Sequence, residues 1–195
     1  MSVNKGGAQS EIKGRDAVRK ALISAAARCF AERGIGAVSV REIAKEAGVN
    51  HGLVHRHFGS KDGLVHETLA TLAESVETRL GHLTGSETLA ELIPKIFGGT
   101  QAVGLHWRVV THALLEGMSV DELQQSFPVF QRLVDAAERA GREKNAAVAQ
   151  ATLIFATGLG YMVFEPYLKG AVKAEEVDWE QIRPHLMGRF LNLAT

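Results

Sequence analysis

Between Ser39 and Lys61 the chain sets polar and basic side chains at intervals that suit hydrogen bonding to an extended partner. His51 and His55 stand four apart, so on a helix they share one face, with Asn50 ahead of them and His57 and Lys61 beyond. That spacing also suits a pair of metal ligands, yet no Cys or third nearby His completes a tetrahedral set, so zinc is the weaker reading. Neutral imidazoles can instead each donate to a phosphate or base acceptor. Charge follows the same division. Residues 1–61 hold eleven Lys and Arg against five Asp and Glu, and residues 62–195 hold eleven against seventeen, although the whole chain is neutral. A basic end of this kind attracts a polyanion through counterion release.

These side chains need elements to hold them. Ser39 and Glu42 form a capping box, and the helix that follows shows Val40, Ile43, Ala44 and Ala47 on one side, leaves Arg41 on the polar side and stops at Gly48. Asn50 is the expected N-cap of a second short helix, in which Val54 and Phe58 share a face opposite His51, Leu53 and His55. Gly59 stops it, and Ser60 caps the next. Two apolar faces this short form no core alone and must lie on something larger. A supporting helix from Arg15 to Gly34 supplies Val18, Leu22, Ala25, Ala26, Cys29 and Phe30 at steps of three and four. The pattern reads as a helix-turn-helix.

With VREIAKEAGV followed by RHFGSKDGLV, the stretch from about Ala17 to Leu72 resembles the DNA-binding domain of the TetR family of transcriptional regulators. Two positions depart from that family: His55 stands where Tyr is usual and Leu53 where a small or hydroxyl residue is frequent, changes that bear on base preference and leave the fold alone. The resemblance implies that Arg41, His51, Gly52 and Leu53 face base edges. It also implies that Asn50, His55, His57 and Lys61 position the phosphate backbone. A homodimer should then read a pseudo-palindromic operator on double-stranded DNA.

Beyond residue 60 the periodicity predicts a helix over Lys61–Leu80, another capped by Ser86 and kinked or ended by Pro94, and a nearly surrounded helix over Ala102–Glu116. Ser119 and Glu122 form a further capping box, Pro128 starts a helix to about Ala140, and Asn145 is the expected cap of the next. Ala146–Phe164 contains no charge and should be buried on most sides. Its length would cross a bilayer, but its Ala, Gly and amide content gives weak hydropathy, so a soluble helix is favoured over a membrane span. Asp178–Leu193 reads as a terminal helix that Pro184 divides. No strand pattern competes, and the class is all-α; the resemblance implies an N-terminal three-helix DNA-binding domain over 15–60 and a helical ligand-binding and dimerisation domain over 61–195. Residues 1–14, with Lys5 and Lys13, read as a flexible basic arm.

The resemblance further implies a four-helix bundle across a two-fold axis, with Ala156 and Gly160 allowing close backbone approach. It also implies a cavity for a small effector. Phe97, Trp107, Phe130 and Phe155 lie on helices that must pack together, with Leu114 beside them and Thr111, His106 and Thr152 available to orient a ligand. Scarce internal charge points to a largely apolar ligand. The function expected is that of a repressor released from its operator by such a molecule. The alternative is a DNA-binding protein controlled by a protein partner. An enzyme is not expected, because no nucleophile elbow or glycine loop after a strand is present. No cofactor is expected. A single Cys29 suits a reducing cytoplasm, and the N-terminus lacks the apolar segment of a signal peptide.

Overall fold

A computed structural model describes residues 14–97, 101–124 and 126–172, with isolated positions between 178 and 189. Most of the basic arm and of the predicted terminal helix lies outside the described residues. Those described form nine helices and no strand: α1 (Arg15–Arg33), α2 (Val40–Glu46), α3 (Gly52–Phe58), α4 (Lys61–Leu80), α5 (Leu89–Phe97), α6 (Gln101–Leu115), α7 (Val120–Leu123), α8 (Pro128–Arg139) and α9 (Lys144–Ala171).

Two apolar clusters hold them. The first gathers Leu22 and Phe30 of α1, Ile43 of α2, Val54 of α3, Leu64 and Leu69 of α4 and Val109 of α6. Helices α2 and α3, seven residues each, are too short to be stable alone and depend on this shared burial. The second cluster joins the end of α4 to α5, α8 and α9 through Val76, Leu92, Leu133, Ala151 and Ile154, with Trp107 of α6 against them. Helix α4 therefore belongs to both clusters and runs from α3 into the second half of the molecule.

Local signals are realised closely at several helix starts. Ser39 Oγ accepts from the Glu42 N–H at 3.3 Å while the Glu42 carboxylate accepts from the Ser39 N–H at 2.8 Å. Ser60 caps α4 by accepting from the Gly63 N–H at 3.0 Å. Others shift. The start of α5 is capped by Thr88 and Glu91, whose carboxylate accepts from the Thr88 N–H at 2.9 Å, and Ser86 lies in the preceding turn. That helix passes through Pro94 to Phe97. Helix α9 starts at Lys144 with Glu143 in the N-cap position and no side-chain cap, so Asn145 lies inside the first turn.

The burial expected for Ala146–Phe164 is confined to one stripe, Ala147, Ala151, Ile154 and Gly158. Leu153 is 53% exposed, Phe164 59% and Tyr167 73%. The charge-free sequence thus does not mean that the protomer surrounds the helix. One face packs on α8, and the opposite apolar face is left outward.

Candidate functional site

Helix α3 restarts the chain only four residues after Gly48, whose φ of +68° permits the sharp turn after α2. Asn50 sits one residue ahead of the cap position given to it by sequence: His51 occupies the N-cap without a side-chain bond, and Asn50 Oδ1 accepts from the Gly52 N–H at 2.8 Å. This Asx-type turn still satisfies one of the first amides of α3. Arg41, Asn50, His51, Gly52 and His55 are exposed. Leu53 is half-buried against the first cluster, so only part of its side chain faces outward. His57 and Lys61 are half-buried at the α3–α4 junction, with the His57 ring 6.1 Å from that of Phe58.

The imidazole of His55 is already engaged on one side, its Nδ1 lying 3.1 Å from the Gly59 carbonyl oxygen. A neutral ring donating there leaves Nε2 as an acceptor, and only the imidazolium offers a second N–H to a phosphate. The simple expectation of a neutral donor at His55 therefore changes.

Several basic residues of this half are used internally. Arg33 pairs with Glu42 at 2.7 Å and Arg28 with Glu46 at 3.2 Å. Arg19 pairs with Glu67 at 2.5 Å and stands 5.6 Å from the centre of the Phe58 ring, tying α1 to the ends of α3 and α4. The Glu42 carboxyl is held down to about 2 by hydrogen bonds from the Ser39 side chain and backbone, then by Arg33. Arg41 and Lys45 on α2 and Arg56 on α3 stay exposed. Arg56 was not among the residues singled out by sequence, although its charge beside His55 was the available signal.

A second site opens in the other half. Helices α4, α6, α7, α8 and α9 line a cavity of about 780 Å³ that is partly open to solvent. Trp107, Phe130 and Phe155 line it, as do His106 and Leu114. The three large rings pack edge to face, Phe155 being 5.0 Å from Trp107 and 5.8 Å from Phe130. Phe97 lies outside the wall, edge-on to Phe155 at 6.1 Å. Thr111 is likewise absent from it, its hydroxyl donating to the Trp107 carbonyl at 2.8 Å. The Thr152 hydroxyl is engaged in the same way by the Val148 carbonyl, because both threonines can reach back one turn along their own helices.

The walls contributed by α4 and the α7 region, among them His66, Glu77, Asp121, Glu122 and Phe127, were not legible as lining residues. Glu122 is also a capping residue, its carboxylate accepting from the Ser119 N–H at 2.7 Å and hydroxyl at 2.8 Å, which lowers its pKa. Two buried ring nitrogens on the wall, His106 Nδ1 and Trp107 Nε1, have no hydrogen-bond partner among the described residues. Burial pushes the His106 imidazole down to about 4, so it is neutral at physiological pH.

A short helix supported on three others, with basic and amide side chains outward, defines a helix-turn-helix DNA-binding protein with a separate cavity-bearing half. Residues 22–68 match the model of bacterial regulatory proteins of the tetR family. The HTH-type transcriptional repressor Rv3405c of Mycobacterium tuberculosis is 40% identical over 171 residues, covering 87% of this chain and 85% of that one. The chain belongs to the TetR family. A solved protein from Streptomyces coelicolor has the same fold, with a TM-score of 0.63 at 23% identity, covering 91% of this chain and 94% of that one. Another, from Saccharomonospora viridis and solved with choline, gives 0.58 at 20% identity, covering 76% of this chain and 85% of that one.

Proposed function

We propose that this regulator is a cytoplasmic homodimeric repressor, released from a pseudo-palindromic operator when a small molecule enters the cavity of about 780 Å³. That cavity carries the reading. It has the size of a small-molecule site and aromatic walls, and two buried ring nitrogens of its lining residues have no partner among the described residues, one of them the indole N–H donor. A ligand oxygen placed against Trp107 Nε1 would satisfy that donor. Among the described residues no Lys or Arg lines the cavity, while Glu77, Asp121 and Glu122 do, so a mainly apolar ligand that is neutral or singly cationic fits better than an anion. The fold relative bound to choline supports the cationic end of that range.

Helix α4 offers a route from ligand to DNA. His66, Ala70, Ala73, Val76 and Glu77 line the cavity, and Lys61 begins the same helix beside α3, about 8 Å before His66 at 1.5 Å per residue. A ligand that binds the DNA-incompetent arrangement more tightly would tilt α4 and change the spacing of the two α3 helices. Arg41, His51, Gly52 and Leu53 would meet base edges, while Asn50, His55, His57 and Lys61 would hold phosphates. The outward apolar face of α9, with Leu153, Phe164 and Tyr167, would be covered by the same helix of a second copy, near Ala156 and Gly160.

Selection of bound duplexes from a random DNA pool would give the operator. Neutral and cationic amphiphiles would then be screened by thermal shift and by operator release. Compounds that stabilise the protein yet never alter operator affinity would refute release by ligand.

A further inference from the structure

Glu116 directly follows the last residue of α6, and its amide N–H donates to the His112 carbonyl at 2.9 Å, so its position follows the last turn of that helix. Its carboxylate reaches across to the loop between α1 and α2. Oε1 accepts from the Ile35 N–H at 2.8 Å, and Oε2 accepts from the Gly36 N–H at 2.7 Å. A carboxylate gripped by two successive backbone amides makes two charge-assisted bonds.

The loop is shaped to receive it. Gly34 has a φ of +87°, and a Cβ there would stand 2.6 Å from Glu116 Oε1. A Cβ on Gly36 would stand 3.2 Å from Oε2. Side chains at either position would press on the carboxylate. A few residues on, the same loop reaches Ser39 and the capping box that starts α2, the helix bearing Arg41. On the other side, α6 contributes His106, Trp107, Val110 and Leu114 to the cavity wall. One helix therefore has the cavity along its side and the DNA-binding loop at its end.

We infer that Glu116 is a positioning residue that ties the DNA-binding helices to the state of the cavity. Displacement of α6 by a bound molecule withdraws the carboxylate from Ile35 and Gly36, and α2 loses the anchor of its leading loop. The inference rests on the proposed function and adds a second connection to the one along α4.

Coupling between two sites is reciprocal, so the test needs no effector. Trp107 lies on the cavity wall nine residues before Glu116, and the other tryptophan is Trp179. In a Trp179→Phe background, saturating operator duplex, recovered by the wild-type protein from a random pool, should shift Trp107 emission. Glu116→Ala should abolish that shift at saturating duplex and weaken operator binding roughly tenfold, within the usual range of coupling between sites. Glu116→Gln, which keeps one acceptor and turns an N–H₂ toward the other amide, should lose part of both. Gly36→Ala leaves Glu116 chemically intact and displaces its Oε2, so it should weaken binding in the same direction even if the Ala variant folds poorly.

Wild-type affinity with an intact emission shift in Glu116→Ala would overturn the inference, as would a Trp179→Phe protein whose emission ignores the operator. If Glu116→Ala fails to fold, wild-type behaviour of Gly36→Ala overturns it. Failure of the wild-type chain to recover any duplex would instead refute the DNA-binding reading, and the inference with it.

Discussion

Gly158 is the glycine of α9 that the protomer itself requires, and replacing it by Ala gives a sharp test of the packing around the cavity. A Cβ built on Gly158 lies 2.5 Å from Phe97 Cδ1 and 2.8 Å from Cγ, with Cε1 closer still. Carbon atoms pack at about 3.5–4.0 Å, so the overlap is roughly 1 Å. Phe97 is half-buried and edge-on to Phe155, which in turn meets Trp107 and Phe130, so moving its ring disturbs that contact. Ala in a helix interior is otherwise favoured over Gly by about 1 kcal/mol. Overpacking of this kind costs about 1–3 kcal/mol, leaving a net loss of up to about 2 kcal/mol. For a chain of this size each kcal/mol lowers Tm by about 2–4 °C. Thermal unfolding at fixed protomer concentration should show Gly158→Ala melting below wild type with its oligomeric mass unchanged. A Cβ on Gly160, two residues on, would meet nothing within 4 Å among the described residues, so Gly160→Leu should dissociate the proposed dimer in sedimentation. A Gly158→Ala protein that melts at or above wild type would refute the packing account, because Phe97 would then be free to move aside.

Three further outcomes follow from the same geometry. His106 has a folded pKa depressed from 6.5 to about 4, so the unfolded chain takes up its proton first and stability should fall as pH drops from about 6.5 to 4. The loss is on the order of 3 kcal/mol; urea titrations should find it reduced in His106→Asn, whereas Glu42, held down to about 2, contributes its own loss only below about pH 4.5. Arg41→Ala should relax base preference at one position in each half-site by about 1–3 kcal/mol, while Lys61→Ala should weaken all duplexes alike and flatten the salt dependence in gel-shift titrations. Trp107→Phe removes the indole N–H while keeping an aromatic ring in the wall, and should reduce stabilisation by an effector while operator affinity without effector stays at the wild-type value, as thermal shift and gel shift would report. Trp107→Ala is a poorer probe, since Trp107 is 5% exposed and its truncation leaves a hole in the wall.

Interactions that close within one helical turn were legible in the chain by itself. The capping box of Ser39 and Glu42, the stop at Gly48 and the span of α4 depend on neighbours three or four residues apart, and the structure contains each of them. Where two local signals compete, as with Ser86 against Thr88 or Asn145 against Glu143, local chemistry was not enough to choose. Tertiary structure alone decided which apolar side chains face a cavity and which fill the layer behind it. Phe97 and Phe155 are alike in sequence, yet Phe155 lines the wall and Phe97 supports it, because their positions depend on how α5 and α9 cross. The absence of charge in Ala146–Phe164 likewise could not distinguish a helix surrounded by its own chain from one with an apolar face turned outward: both exclude charge. The clamp of Glu116 on Ile35 and Gly36 joins residues about eighty positions apart, and no periodic pattern announces a contact whose two halves meet only after the whole chain has packed.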